Sequence, residues 1–297
     1  MVPTPLILIA ACLAFVVVEM VLTFRVARRL GNFGIVDIVW SAGFTPIVWL
    51  HAVLAARVAS EPLTAPVGGL PSGAMSFWEA LGPRLPLTLM VTLWSLRLGA
   101  HLFVRVRAHH PVEDVRYAQL RVDWGADTDR RMLGFFLLQG VLQGVLSLPW
   151  LLASLHPPSG DAGTILPTSP WAASCFWAGL LVWATGLVGE SVADRQLAAF
   201  RADPAHRGQV CQRGLWRVSR HPNYFFEWLV WVGYGIFALA GPWGWLGLVA
   251  PALMYHFLVN VTGIPMTEAL SVRSKGEAYR RYQATTNAFF PGPPRRA

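Results

Sequence analysis

The stretch LILIAACLAFVVVEMVLTF, Leu6–Phe24, is followed at once by Arg25, Arg28 and Arg29. It holds one charged residue, Glu19, and as a helix it is long enough to cross a hydrocarbon core about 30 Å thick. No basic segment precedes it and no small-residue cleavage site follows it. It therefore reads as a retained spanning helix and not as a signal peptide. Glu19, near the end of the run and close to Arg25, reads as a structural or interfacial charge.

Apolar runs of this kind recur along the chain. Hydrophobic residues make up 54% of the 297 and charged residues only 13%, about half the charged share of a soluble domain. The sequence predicts an all-α, polytopic membrane protein forming one integral-membrane domain over 1–297. Its seven transmembrane helices fall at about 5–24, 35–57, 85–106, 132–154, 171–191, 224–241 and 244–263. The Pro- and Gly-rich segment Pro62–Ser76 reads as an outer loop, and the final PGPPRRA as a frayed tail.

The net charge of +8 does not indicate nucleic acid, because the arginines fall in alternate loops. They follow the first helix, lie between the third and fourth and between the fifth and sixth, and follow the seventh. The intervening loops are nearly free of them. This asymmetry predicts an outside N-terminus and a cytoplasmic C-terminus, as in a bacterial inner membrane. Membrane lipids are the expected partners, and nothing indicates an oligomer. The three cysteines, Cys12, Cys175 and Cys211, suggest thiols rather than a disulfide framework.

A second stretch, GLWRVSRHPNYFFE (Gly214–Glu227), carries the densest chemistry. Arg217, Arg220, His221, Asn223 and Tyr224 stand just before or at the start of the sixth helix, with Glu227 one turn inside. Cations and helix N-terminal amides together suit phosphate, and a carboxylate one turn on suits a ribose hydroxyl. A basic belt on anionic lipid explains the arginines but not the amide, phenol and carboxylate among them. Glu190, Asp194 and Arg201 recur at helical spacing off the fifth helix, and Glu113–Tyr117 (EDVRY) forms another polar cluster.

Asp37, Arg97, His101, His256 and Asn260 lie in or at the edge of apolar runs, where polar groups usually face the bundle interior. Arg97 can pair there with Asp37 or Glu190. No metal is expected: His109 and His110 are adjacent, His101 is isolated, and no Cys/His pair has zinc-like spacing. No Gly-rich dinucleotide fingerprint follows a strand; GGLPSG at 68–73 lies in the outer loop.

These residues resemble a family. GLWRVSRHPNYFFE, preceded by DRQLAAFR (Asp194–Arg201) and followed by TGIPMTEALSVRSKGEAYRRYQATTNAFFP (Thr262–Pro291), resembles the steroid 5α-reductase family and its bacterial branch. GNFGIVDIVW (Gly31–Trp40), WSLRLGAHLFVR (Trp94–Arg105) and EDVRY are similar to that branch's N-terminal signatures. The SRHPNY core is shared with sterol reductases, and methyltransferases of the isoprenylcysteine carboxyl type carry a similar Arg-His-Pro-x-Tyr…Glu.

The resemblance implies a seven-helix fold with NADPH in a cytoplasm-facing cavity. It implies reduction of a C=C bond conjugated to a ketone, as in a 3-oxo-Δ4 steroid or another lipid enone. By similarity Asp194, Arg201, His221, Asn223, Tyr224 and Glu227 hold the cofactor, with Glu268, Arg273 and Tyr282 closing the site. Arg217, Arg220 and Asn260 join that set. Asp37 matches the family's catalytic carboxylate and is expected to be a neutral donor, with Tyr117 reaching in from the following loop. The family's tyrosine on the third helix is replaced by Trp94. Trp40, Trp94 and His101 are the expected substrate contacts. The alternative is a methyltransferase using S-adenosylmethionine; a further one is a non-enzymatic lipid-binding protein.

Overall fold

The computed structural model describes residues 3–60, 75–157 and 164–295, and among them every regular element is helical. Most of the expected outer loop, GGLPSG included, and the last two residues of the expected tail lie outside the described residues. α1 (Thr4–Leu30) begins with proline where a missing N–H costs nothing. It ends at Gly31, whose φ of 65° lets its N–H return to Ala27 and Arg28. Arg25, Arg28 and Arg29 thus lie inside this helix, the last two in its final turn, where the macrodipole favours cations.

α2 (Ile35–Ser60) follows, then the short α3 (Phe77–Leu81), which opens with a reciprocal capping box between Ser76 and Glu79. α4 (Leu85–His109) starts where expected and runs three residues past the expected end at 106. EDVRY does not form a loop: Asp114 caps α5 (Val115–Trp124) by accepting from the Arg116 amide. The expected 132–154 helix is two helices, α6 (Thr128–Leu146) and α7 (Leu148–Leu155). The break falls at Ser147, two residues before Pro149, which cannot donate into a continuing ladder.

α8 (Pro170–Ala202) outruns its expected end by more than two turns and carries Asp194 and Arg201 on helix. α9 (Pro222–Ala238) follows. The expected 244–263 span is a 3-10 turn, then α10 (Val249–His256), then a π turn at Phe257–Val261. α11 (Ile264–Lys275) and α12 (Glu277–Thr285) form the C-terminal segment.

Among the described residues, six helical stretches are long and apolar enough to cross a membrane, against the seven expected. The shortfall is α9: its 17 residues rise only about 25 Å, under the usual spanning length.

The chain divides into two compact units, residues 1–174 with 238–246 and residues 175–237 with 247–297. In the first, Phe24, Phe33 and Phe136 stack and cross with centroids 6.0 Å apart, around Met20, Val36 and Tyr117. α2 and α4 approach closely because Gly99 faces Ala42. In the second, α8 and α9 meet backbone to backbone at Gly179, where a Cβ would lie 2.9 Å from the Gly233 carbonyl oxygen. Leu6, Leu13, Val17, Val18 and Leu22 point outward from α1, as a lipid-facing surface requires.

Candidate functional site

Each unit holds a polar constellation. In the first, Asp37 lies in the opening turn of α2 and Tyr117 in α5. Tyr117, 4% exposed, donates its hydroxyl to Asp37 Oδ1 at 2.6 Å. Arg116 donates an Nη2 hydrogen to Asp37 Oδ2, also at 2.6 Å, and its Nε to Asp114 Oδ1 at 3.0 Å. Arg105 reaches Asp114 Oδ2 at 2.9 Å. Burial raises the Asp114 pKa, but the hydrogen bond and charge of Arg116, with Arg105 behind, leave it below the ordinary carboxylate value.

Sequence places these residues far apart; Glu113 is what joins them. Its Oε1 accepts the Phe33 amide at 2.6 Å and its Oε2 accepts Arg121 Nε at 2.7 Å, clamping the entry to α2 against α5. Gly34 lies against Asp114 and Tyr117, where a Cβ would be in ordinary contact with them at 3.6 Å and 3.7 Å.

Two expectations change. Asp37 accepts from a guanidinium and from the Tyr117 phenol, so in this arrangement Tyr117 is the donor of the pair, the role the resemblance gave to Asp37. Its cationic partner is Arg116 rather than Arg97, because the first turn of α5 carries Arg116 next to Tyr117. Of the expected substrate contacts, Trp94 is fully buried with its ring 5.4 Å from Phe44. Trp40 donates Nε1 to the Gln139 carbonyl at 3.1 Å and crosses Phe44 edge-on. His101 is exposed on α4.

In the second unit, the loop before α9 is pinned from two sides. Trp216 donates Nε1 to the Ala193 carbonyl of α8 at 2.9 Å, and Gln196 accepts the Leu215 amide at 2.9 Å. From the C-terminal side, Glu268 Oε1 accepts Arg220 Nε at 2.6 Å and faces His221 Nε2 at 3.1 Å, while Glu268 Oε2 accepts from Gln283 at 2.6 Å. Tyr282 donates its hydroxyl to the Trp216 and Ser219 carbonyls. Burial, then neighbouring Tyr279, push the Tyr282 pKa up, so it stays a donor.

Arg220, His221, Glu268 and Tyr282 thus come together as a clasp that satisfies itself. Tyr224 stacks on His221 with centroids 5.3 Å apart and faces Thr267 Oγ1 at 3.1 Å. Glu227 Oε1 accepts Trp231 Nε1 at 2.9 Å. Asn260 Nδ2 sits 3.4 Å from His256 Nδ1. Arg201, Arg217 and Arg273 are exposed, and Asp194 is half-buried.

Two features fit a phosphorylated nucleotide cofactor. The Asn223 Oδ1 is buried and accepts no hydrogen bond, at the N-terminus of α9. Arg201 acts electrostatically on half-buried Lys275, so two cations gather where α8 and α11 end. Sequence reasoning missed Lys275, Gln283 and Thr267. Lys275 stands two helical turns after Glu268 on one face of α11, a spacing that could have found it. Among the described residues no three His, Cys, Asp or Glu side chains cluster as metal ligands, and the three cysteines are free thiols.

Among the described residues, wholly helical regular structure with six helices apolar and long enough to span is consistent with an integral membrane protein. Residues 72–286 match the family described as Protein of unknown function (DUF1295), and the chain belongs to that family. It is a membrane family of reductase-like and methyltransferase-like proteins. Over 78 residues the chain is 32% identical to the Probable O-methyltransferase ustE of Ustilaginoidea virens, and the match covers 26% of each. The chain therefore spans about a quarter of the length of that curated relative. No solved structure matches.

Proposed function

We propose that this chain is an NADPH-dependent membrane reductase of a C=C bond conjugated to a ketone, its substrate a 3-oxo-Δ4 steroid reduced to the 5α product. The observation that carries the reading is the buried Tyr117 hydroxyl held 2.6 Å from Asp37. Reducing an enone places negative charge on the carbonyl oxygen and then needs a proton at the α carbon. NADPH, when bound, supplies the hydride.

The chain supplies the acid. Tyr117 carries one transferable proton, and Arg116 fixes Asp37 beneath it. Turning that O–H from Asp37 onto a substrate carbonyl oxygen gives the donor the reaction requires. In the second unit, Arg201, Lys275 and Arg217 offer cations to phosphates, Asn223 offers its amide, and Glu227 a carboxylate to ribose. The clasp of Arg220, His221, Glu268 and Tyr282 holds those elements in place; in this reading it is support more than direct contact. Seven spans, with α9 as the shortest, and a cytoplasmic face for the second cluster follow the arginine distribution.

Membranes containing the protein, NADPH and a Δ4-3-ketosteroid should yield 5α-reduced product. Absence of product across several such steroids removes the steroid assignment.

A methyltransferase using S-adenosylmethionine is the second reading, favoured by the 78-residue match to the probable O-methyltransferase. Thermal stabilisation separates the two. NADPH should raise the Tm and S-adenosylmethionine should not; the reverse result selects the methyltransferase.

A further inference from the structure

Glu19 does not sit at an interface beside Arg25. Its carboxyl fills a notch in α2, where a Cβ on Gly43 would lie 2.2 Å from Glu19 Oε1 and 2.5 Å from Gln143 Nε2. The groups acting on it are burial itself, the Gln143 side chain and, from its own helix, Cys12. α2 presents Gly43 and α6 presents Gln143 at this point, neither of which titrates.

Around Trp40, three buried polar atoms have no hydrogen-bond partner: Glu19 Oε2, Gln143 Oε1 and Gln139 Nε2. Trp40 strings the two glutamines together, accepting from Gln143 Nε2 at 2.9 Å and donating to the Gln139 carbonyl at 3.1 Å. Gln139 in turn borders the Tyr117 hydroxyl. The row therefore runs Glu19, Gln143, Gln139, Tyr117, Asp37, all within the first unit. Gly43 is six residues after Asp37, about 9 Å of helix rise, or on the order of three hydrogen bonds.

The unmatched atoms are one acceptor, Gln143 Oε1, one donor, Gln139 Nε2, and a carboxyl oxygen of undecided role. An ionised Glu19 adds only acceptors and leaves a bare charge at hydrocarbon depth. A carboxylic acid adds the missing donor, and a water molecule, which needs two to four polar partners, completes the row.

We propose that Glu19 is held as a neutral carboxylic acid and is the internal proton store for Tyr117, connected to it through Gln143, Gln139 and intervening water. The use of the proton rests on the reductase reading; the acid and its connection do not. The O–H bond of Glu19 breaks as its proton passes to water. A water proton passes to the Tyr117 oxygen left bare by donation. The Glu19 carboxylate then regains a proton from solvent, so no other reactant is consumed.

Infrared spectroscopy of the protein in lipid nanodiscs tests this directly. A protonated-carboxyl C=O band should vanish in Glu19→Gln and shift in Tyr117→Phe. Gly43→Ala, which pushes the carboxyl from its notch, should abolish that shift. Absence of the band, or a band indifferent to Tyr117→Phe, overturns the proposal. In turnover with NADPH and a Δ4-3-ketosteroid, Glu19→Gln should lower kcat about tenfold, less than the ~10²-fold for losing an acid outright. The solvent deuterium effect should rise and the KM for NADPH should stay fixed. An unchanged kcat across the pH profile overturns the store. A coupled band in a protein that reduces no enone sinks the reductase reading and leaves the hydrogen-bonded acid standing.

Discussion

Tyr117 and Asp37, 80 residues apart, share a hydrogen bond of 2.6 Å in the interior of the first unit. Neither α2 nor α5 alone makes anything reactive. The pair exists because Glu113 clamps the Phe33 amide and Arg121, bringing the two helix starts together. Asp37 is shared with Arg116, so a phenol, a carboxyl group and a guanidinium form one hydrogen-bonded unit.

Removing the phenol should abolish proton transfer and little else. Tyr117→Phe is expected to lower kcat about 10²- to 10⁴-fold, with the KM for NADPH unchanged. Asp37→Asn should also lower kcat with less effect on cofactor binding. Steady-state kinetics in membranes checks both; full turnover by Asp37→Asn ends its assigned role.

The cofactor side should respond differently. Arg201→Ala, Lys275→Ala and Glu227→Gln should each raise the NADPH KM about tenfold, a loss of about 1.4 kcal/mol, and leave saturated kcat nearly intact. If Lys275→Ala binds NADPH as tightly as the parent in a titration, the cation pair is not a phosphate site.

The clasp predicts a stability effect. Arg220 and Glu268 are only 11% and 13% exposed and lie 2.6 Å apart. Glu268→Ala leaves the Arg220 guanidinium with only the Gln283 and Thr286 carbonyls and takes the carboxylate from His221, and should cost about 3 kcal/mol. Limited proteolysis should then cut the chain between α11 and α12 before any site in α1 or α2. Uniform resistance would contradict the clasp.

Asp114 predicts an acid-side loss. Its pKa is lowered in the fold, so its contribution is full above the unfolded value of about 4 and disappears as pH falls through the lower folded value. The Tm difference between the parent and Asp114→Asn should therefore be constant at neutral pH and shrink only in strong acid. A difference that grows on acidification would reverse the sign and exclude this account.

Much of the secondary structure was legible because hydropathy is a local property. The starts of α1, α2 and α4 follow directly from apolar runs, helped in α1 and α4 by a proline in the first turn. The broken helices were less so. A window average passes over Ser147 and Pro149 and over the π turn at Phe257–Val261, because both are apolar surroundings with a local backbone fault. α5 is harder to see in sequence because four of its ten residues, Arg116, Gln119, Arg121 and Asp123, are charged or amide and resemble a loop. Its N-cap, Asp114, was the available signal.

By itself the sequence determined an all-helical membrane chain, because 19 uninterrupted residues such as Leu6–Phe24 have no stable alternative in or near a bilayer. It also named the residue types of both clusters. Only the tertiary structure decided which of them share a proton, a charge or a backbone carbonyl. Arg116 rather than Arg97 meets Asp37, Glu268 binds Arg220, and Glu19 turns inward onto Gln143. Each choice depends on how helices distant in sequence cross, at Gly43, Gly99 and Gly179, and composition carries no record of a crossing.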